Sequence, residues 1–133
     1  MALYVTDTHP LVWYATNTYR KLSTAALRAF QRASRGEALI WVPAMAIWEA
    51  GILQRMHRVR LDPSFRKWAD ALFTQSGFAI APMDIDTVYS SLDYEPNSDL
   101  FDVSIVATAR QKQLPLITKD ETIVQSGFVE ILW

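Results

Sequence analysis

The 133-residue sequence predicts an α/β fold with a central, mainly parallel β-sheet and helices on both of its faces. Short apolar runs alternate with longer helical patterns, which is the order that parallel strands and crossover helices require. Half of the residues are hydrophobic, and a chain of this length can bury one full core but not two. We therefore expect a single domain over residues 1–133.

Each predicted strand is an apolar run bounded by turn residues or by the start of a helical pattern. The five predicted strands, in chain order, cover residues 2–6, 38–42, 78–81, 114–118 and 129–133. Helical patterns follow most of these runs. The predicted helices cover residues 10–15, 24–35, 43–53, 63–76, 84–94 and 100–113.

Capping residues and prolines mark where several of the helices begin. Ser23 and Asp99 are predicted N-caps of the second and sixth helices, because short polar side chains can accept hydrogen bonds from the free amides there. Asp62 and Pro63 are predicted to cap and start the fourth helix, and Pro43 to start the third. Gly36 is expected to end the second helix.

Five acidic residues stand where a charge without a partner is costly. They are Asp7 after the first strand, Glu49 inside an apolar helix, Asp99 and Asp102 at a helix start, and Asp120 after the fourth strand. Among their immediate neighbours only Lys119 is basic. In an open parallel sheet, ligands bind beyond the carboxyl ends of the strands, where the strand order reverses. If the first and fourth strands are neighbours there, the four aspartates meet in one crevice, and Glu49 joins them if its helix packs beside them. A divalent cation is then the simplest counter-charge.

An all-oxygen set of ligands suits Mg²⁺ or Mn²⁺ and disfavours zinc, which prefers nitrogen and sulfur. The chain has no cysteine, so thiolate metal sites and disulfides are excluded. Hard cations of this kind commonly bind phosphates, and a pair of them can activate a water molecule and stabilise a leaving oxygen. The reaction class that fits is phosphodiester hydrolysis.

The net charge of −1 argues against a protein that binds polyanions over its whole surface, so any nucleic-acid contact must be local. The basic residues concentrate in one segment, made up of Arg55, His57, Arg58, Arg60, Arg66 and Lys67. Arg55, Arg58 and Arg60 are candidates for contact with an RNA backbone, although such a run can equally be a solvated face. No signal peptide or membrane-spanning run is evident, so we expect a cytoplasmic protein without membrane contact.

At these residues the chain resembles the PIN-domain ribonucleases, and among them the VapC-like toxins of type II toxin–antitoxin modules. The resemblance lies in the order and spacing of short segments along nearly the whole chain. They are residues 4–9, 47–49, 99–102 with 105–109, 116–120 and the last strand at 129–133. The resemblance implies a three-layer α/β/α fold, a Mg²⁺- or Mn²⁺-dependent endoribonuclease, a homodimeric toxin and a cognate antitoxin protein.

Carried over to this sequence, the resemblance implies that Asp7 and Asp102 are the principal metal ligands and Asp99 an auxiliary one. Glu49 and Asp120 complete the predicted catalytic set. The hydroxyls of Thr8 and Thr118, and also of Thr6, are candidates to hold water, metal or phosphate. Relatives often carry proline and arginine where this chain has Leu100 and Val103. The missing arginine puts an ion pair or RNA contact in doubt, but not the metal site.

Simpler interpretations compete with this hypothesis. Asp7 and Asp99 could be ordinary helix caps, and Asp120 an ordinary turn residue. His9 and the five tryptophans are predicted to be packing residues rather than ligands or base-stacking surfaces. Two other function classes stay open: a phosphatase or phospho-receiver with Asp7 as nucleophile, and a degenerate PIN module that only binds RNA or a protein. A dehalogenase-like phosphatase would need a second aspartate at position 9.

Overall fold

A computed structural model describes all 133 residues and has a central sheet of five parallel strands. The strands are β1 (Ala2–Thr6), β2 (Ala38–Pro43), β3 (Phe78–Ala81), β4 (Leu116–Ile117) and β5 (Ile131–Leu132). Their order across the sheet is β3-β2-β1-β4-β5. The order therefore reverses between β1 and β4, which pair through Val5 with Leu116 and Thr6 with Ile117. The predicted neighbourhood of the first and fourth strands is confirmed.

Seven α-helices surround this sheet in the predicted α/β/α arrangement. They are α1 (Thr8–Ala15), α2 (Thr24–Ser34), α3 (Ala44–Arg55), α4 (Phe65–Thr74), α5 (Ile85–Asp93), α6 (Leu100–Lys112) and α7 (Glu121–Ser126). A 3₁₀ turn at Tyr19–Lys21 lies between α1 and α2. None of the helices has both the length and the hydrophobicity of a transmembrane segment.

The predicted start of the fourth helix is wrong. Ser64, rather than Asp62, is the N-cap of α4, because its hydroxyl accepts a hydrogen bond from the amide of Lys67 at 3.2 Å. Asp62 lies in the preceding loop and pairs with Arg60, with 2.9 Å between Nε and Oδ1. Pro63 therefore belongs to the loop and not to the first turn of the helix.

Two elements were not predicted, and two strands are shorter than predicted. The helix α7 and the 3₁₀ turn are short, and Ile123 is their only fully buried residue. Neither segment therefore shows the apolar periodicity from which a helix can be predicted. The pairing of β4 and β5 is limited to two residues of each strand, although their apolar runs are longer. Hydrophobicity thus predicted the position of both strands but not the length of their ladder.

The helix α6 explains how an acidic residue comes to lie beside the core. Its residues from Val103 to Ala109 are all buried, so it is apolar on almost every side. It contacts β1 and β2 of the sheet as well as α3 and α5. Asp102 directly precedes this buried stretch and is therefore held at the edge of the core.

Candidate active site

Asp7 lies at the carboxyl end of β1 and is the N-cap of α1. Its amide donates to the carbonyl oxygen of Ile117 at 3.0 Å, which ties it to β4 at the point where the strand order reverses. The side chain is only 5% exposed. Its Oδ1 accepts from the amide of Thr8 at 2.7 Å, and its Oδ2 accepts from the hydroxyl of Thr118 at 2.7 Å. Both oxygens thus have fixed positions.

Burial raises the pKa of Asp7 above its ordinary value, although the hydrogen bonds from Thr118 and Thr8 oppose this change. The charge of Glu49 raises the pKa further, while that of His9 lowers it. A carboxyl group that is buried next to another acid is easier to ionise when a cation is also present. The local charge balance therefore favours a bound cation over a simple cap.

Asp102 lies in the first turn of α6 and is half-buried. Burial raises its pKa to about 6, and the charges of Asp7, Asp99 and Asp120 add to the increase. Asn97 opposes it, since its Nδ2 donates to Oδ2 of Asp102 at 2.8 Å. The charge of Asp7 thus reaches Asp102, as the nuclease hypothesis requires.

Asp99 and Asp120 have clear structural roles in addition to their place near the site. Asp99 is the predicted N-cap of α6 and is exposed; its Oδ1 accepts from the amides of Phe101 at 2.8 Å and Asp102 at 3.2 Å. Asp120 is the N-cap of α7 and accepts from the amide of Ile123 at 3.0 Å. Capping accounts for these contacts, and the charge of each residue still reaches Asp102.

Glu49 is a half-buried residue in the middle of α3. Burial raises its pKa, and a hydrogen bond from the Thr8 side chain and the charge of His9 oppose this change, while the charges of Asp99 and Asp102 add to it. Each of the five predicted acids therefore acts electrostatically on at least one of the others. These residues come from four different helices or their caps.

The donors present suit a hard divalent cation, but they are not gathered around one point. No three acidic or histidine side chains lie close enough together to hold a single ion. In favour of a metal, the donors are oxygens and three of the carboxyl groups have raised pKa values. The chemistry of the residues fits such an ion.

A cavity of about 190 Å³ opens beside Asp7. It is lined by Asp7, His9, Pro10, Trp13, Thr118, Lys119 and Asp120. We call this cavity the acidic cleft. Of the predicted auxiliary hydroxyls, Thr118 lines the cleft, whereas the Thr6 hydroxyl donates to the carbonyl oxygen of Asp7 at 2.8 Å.

Sequence reasoning missed several residues of this region. Asn97 was not among the predicted site residues, yet it donates a hydrogen bond to Asp102. His9, predicted to be a packing or cap residue, is exposed and lines the acidic cleft, as does half-buried Trp13. Trp48 is 59% exposed rather than buried, with its ring edge-on to Phe101. An aromatic residue nearly two helical turns after a site acid was a usable signal for Trp13.

The predicted RNA-contacting arginines divide into two groups. Arg58 and Arg60 line a second depression that also contains Trp13. Arg55 is exposed at the end of α3 and lines neither this depression nor the acidic cleft. The basic segment thus reaches the neighbourhood of the cleft through Arg58 and Arg60.

Comparison with known proteins gives a consistent family and fold. The family model of the PIN domain matches residues 4–128. No curated protein sequence gives a significant match.

Several solved structures share the fold over nearly the whole chain. The crystal structure of VapBC2 from Rickettsia felis bound to a DNA fragment from their promoter has a TM-score of 0.72 and 9% identity, and the match covers 97% of this chain and 96% of that one. DNA-bound VapBC from Salmonella typhimurium has a TM-score of 0.69 and 13% identity, with 98% and 97% covered. VapC20 from Mycobacterium tuberculosis, described as a Sarcin-Ricin loop cleaving toxin, has a TM-score of 0.65 and 14% identity, with 98% and 99% covered. At these identities, the similarity establishes the fold.

Proposed function

The chain belongs to the PIN-domain family, and from that premise we propose that it is a metal-dependent endoribonuclease, the toxin component of a toxin–antitoxin module. The observation that carries this proposal is the electrostatic influence that Asp7, Glu49 and Asp102 have on one another. These residues come from distant parts of the sequence, and the pKa of each is raised by burial and by the charge of another acid. A structural role alone does not require such a cluster.

Asp7, Asp102 and the auxiliary Asp99 would hold the metal in this proposal, with Mg²⁺ or Mn²⁺ as the ion. PIN-domain nucleases generally use divalent metals. A divalent ion bound there would neutralise phosphate charge and lower the pKa of attacking water. Asp7 is fixed by Thr8 and Thr118, and Asp102 by Asn97, so two of these carboxylates are already oriented. Such preorganisation reduces the cost of assembling the site when the substrate binds.

Glu49 is suited to accept a proton from the attacking water, because its raised pKa brings it closer to neutrality than an ordinary glutamate. Water then forms a bond to phosphorus, the bond from phosphorus to a ribose oxygen breaks, and the RNA chain is cut. Asp120 and Thr118 line the acidic cleft together with Asp7. Single-stranded or looped RNA is the proposed substrate, since a cleft beyond the carboxyl ends of the β-strands is accessible to an extended RNA chain.

A phosphatase or phospho-receiver fits the geometry less well. Asp7 would have to attack phosphorus as a nucleophile, yet both of its oxygens accept hydrogen bonds and the residue is almost fully buried. Position 9 is His9 rather than an aspartate. The structure offers no feature that favours this alternative.

A cognate antitoxin and a second copy of the chain are the proposed protein partners. The Rickettsia felis and Salmonella typhimurium structures are VapBC assemblies bound to DNA, and they motivate the antitoxin. The proposed dimer is tested by sedimentation of the purified protein. Its proposed location is the cytoplasm, where RNA substrates are found.

The nuclease proposal is tested by cleavage of a labelled single-stranded RNA in Mg²⁺ or Mn²⁺. We expect cleavage by the wild type, and its loss both in EDTA and in Asp102→Asn. Asp86→Asn is the matched control, because Asp86 is an exposed acid in the first turn of α5. Cleavage that persists in EDTA, or wild-type activity in purified Asp102→Asn, would refute the proposal.

A further inference from the structure

We propose that Lys21 and Lys119, both held over Trp13, join Arg58 and Arg60 in a binding path for the RNA backbone next to the scissile phosphate. This inference rests on the proposed function and deepens it by assigning the path of the substrate. The path begins in the acidic cleft, crosses Trp13 and continues into a basic groove on the other side.

The first observation is that Trp13 lies between two depressions of the surface. On one side is the acidic cleft, which Trp13 shares with Lys119. On the other side is a groove of about 410 Å³, which we call the basic groove. Its polar and aromatic lining consists of Trp13, Thr16, Thr18, Lys21, Arg58 and Arg60. One indole ring therefore forms the boundary between the acidic cleft, which contains Asp7, and the basic groove.

The second observation is that Trp13 has a lysine from each depression over its ring. The Nζ atom lies 5.7 Å from the ring centroid for Lys21 and 4.9 Å for Lys119. Cation–π attraction at these distances restrains flexible side chains without neutralising their charge. The indole is itself braced by Trp133, whose ring centroid is 6.3 Å away. Trp13 is thus a positioning residue for two ammonium groups.

The third observation is that most of these cations have no acidic partner. The chain contains two ion pairs, Arg35 with Glu37 and Arg60 with Asp62. Lys21, Lys119 and Arg58 therefore make none. The Arg60 pair is largely exposed, so it is weak and can exchange for a phosphate.

This order of charges fits a phosphodiester chain better than a single anion. The charge of the scissile phosphate would be neutralised by the cation that the acids hold. The charges of the neighbouring phosphates would be neutralised by cationic side chains of the protein. Lys119 stands inside the acidic cleft, and Lys21 and Arg58 follow beyond Trp13. Contacts to the RNA backbone come mostly from Arg and Lys, and hydroxyls such as those of Thr16 and Thr18 commonly add to them. With a net charge of −1, the chain concentrates attraction here rather than over its whole surface.

The test is the binding of a fluorescent single-stranded RNA to Asp102→Asn protein in EDTA, so that turnover does not enter the measurement. Lys21→Ala and Arg58→Ala are added to this background, and affinity is measured over a range of salt concentrations. We expect each to weaken binding by about threefold to tenfold and to reduce the salt slope by about 0.7 for each phosphate that the protein no longer neutralises. Lys112→Ala is the matched control, because Lys112 also lies over a tryptophan, 3.7 Å from the ring centroid of Trp41, but lines neither depression.

The role of Trp13 is tested by Trp13→Leu, which keeps an apolar side chain but removes the aromatic face. The Lys21→Ala change should then weaken binding less than it does with Trp13 present. Thermal unfolding checks that Trp13→Leu is folded. If it is not, the exposed Lys21 and Arg58 variants carry the test alone.

The outcomes separate this inference from the nuclease proposal. If Lys21→Ala and Arg58→Ala bind RNA as tightly as Lys112→Ala at every salt concentration, the path is refuted even where the wild type cleaves RNA. The absence of RNA binding by the Asp102→Asn protein would also refute it. Lys21-dependent binding without any cleavage by the wild type would refute the nuclease and support the path.

Discussion

Among the helices that begin with an aspartate cap, α5 and α1 have caps with opposite properties. At α5, Asp84 is exposed and accepts from the Thr87 amide at 2.9 Å and the Thr87 hydroxyl at 2.8 Å. These hydrogen bonds lower the pKa of Asp84. At α1, Asp7 also accepts an amide and a threonine hydroxyl, but burial raises its pKa instead.

The difference shows what capping can and cannot explain. Asp84 behaves as a cap should, because its charge is stabilised where it forms and stays in water. Asp7 has the same local bonds but is removed from water and placed near Glu49. Burial destabilises the ionised form of Asp7 by more than its hydrogen bonds stabilise it. Helix capping alone therefore does not explain this residue, and a second purpose is needed. The proposed metal site would give Asp7 such a purpose.

The largest expected effect is a loss of RNA cleavage when the charge of Asp7 is removed, compared with removal of the charge of Asp84. Asp7→Asn should lower activity by about 10²–10³-fold, which is typical for loss of one electrostatic group in an active site. Asp84→Asn should leave activity unchanged, because Asn caps a helix as well as Asp does. Rates under single-turnover conditions check this prediction, and equal rates for the two variants would remove the distinction between the caps.

A metal should stabilise the protein through Asp7 and not through Asp84. Binding to the native state alone adds about 2.7 kcal/mol at an ion concentration 100 times the Kd. We therefore expect Mn²⁺ to raise the Tm of the wild type and of Asp84→Asn, and to have little effect on Asp7→Asn. Calorimetry with and without Mn²⁺ measures the difference. A Tm of the wild type that does not respond to millimolar Mn²⁺ contradicts the metal site.

Thr118→Val tests the threonine that supports Asp7, and Thr87→Val is its counterpart at α5. Without the Thr118 hydroxyl, Oδ2 of Asp7 loses its donor in a buried place. Loss of a hydrogen bond to a charged buried group costs about 2 kcal/mol. Thr87→Val should cost less, since water can replace the hydroxyl beside exposed Asp84. Urea unfolding compares the variants, and a larger loss at Thr87 than at Thr118 would reverse the comparison.

The sequence predicted the parts of the site that depend on topology and local pattern. The apolar runs placed Asp7 at the end of a strand, and the spacing of Asp99 and Asp102 placed both at the start of one helix. The reversal of strand order then brought these segments together, as expected for an open parallel sheet. The same local rules failed at α4, where Ser64 competed with Asp62 as the cap.

Other features depend on contacts that have no local signal. The bond from Asn97 to Asp102 requires a particular path of the loop before α6. The lysines over Trp13 come from positions 8 and 106 residues away along the chain, and only packing brings them to one ring. The raised pKa values likewise follow from burial, which composition does not give residue by residue. Topology was therefore predictable, while the electrostatics of the site were not.

The smallest expected effect is a pH dependence of stability that the two kinds of aspartate give with opposite signs. The folded pKa of Asp102 is about 6, above its ordinary value of 3.8, so the folded state binds more protons between these values. Its contribution to stability is therefore present at low pH and is lost as the pH rises through about 6. After allowance for screening of this half-exposed group, we expect a loss of about 1 kcal/mol between pH 5 and pH 7 in EDTA. Asp84 has a lowered pKa, so its contribution is present above pH 3.8 and is lost only below it.

Urea unfolding of the wild type and Asp102→Asn at pH 5 and pH 7 isolates the Asp102 contribution. If the stability of both proteins has the same pH dependence, folding does not destabilise the ionised form of Asp102. The electrostatic contrast between Asp102 and Asp84 then does not hold.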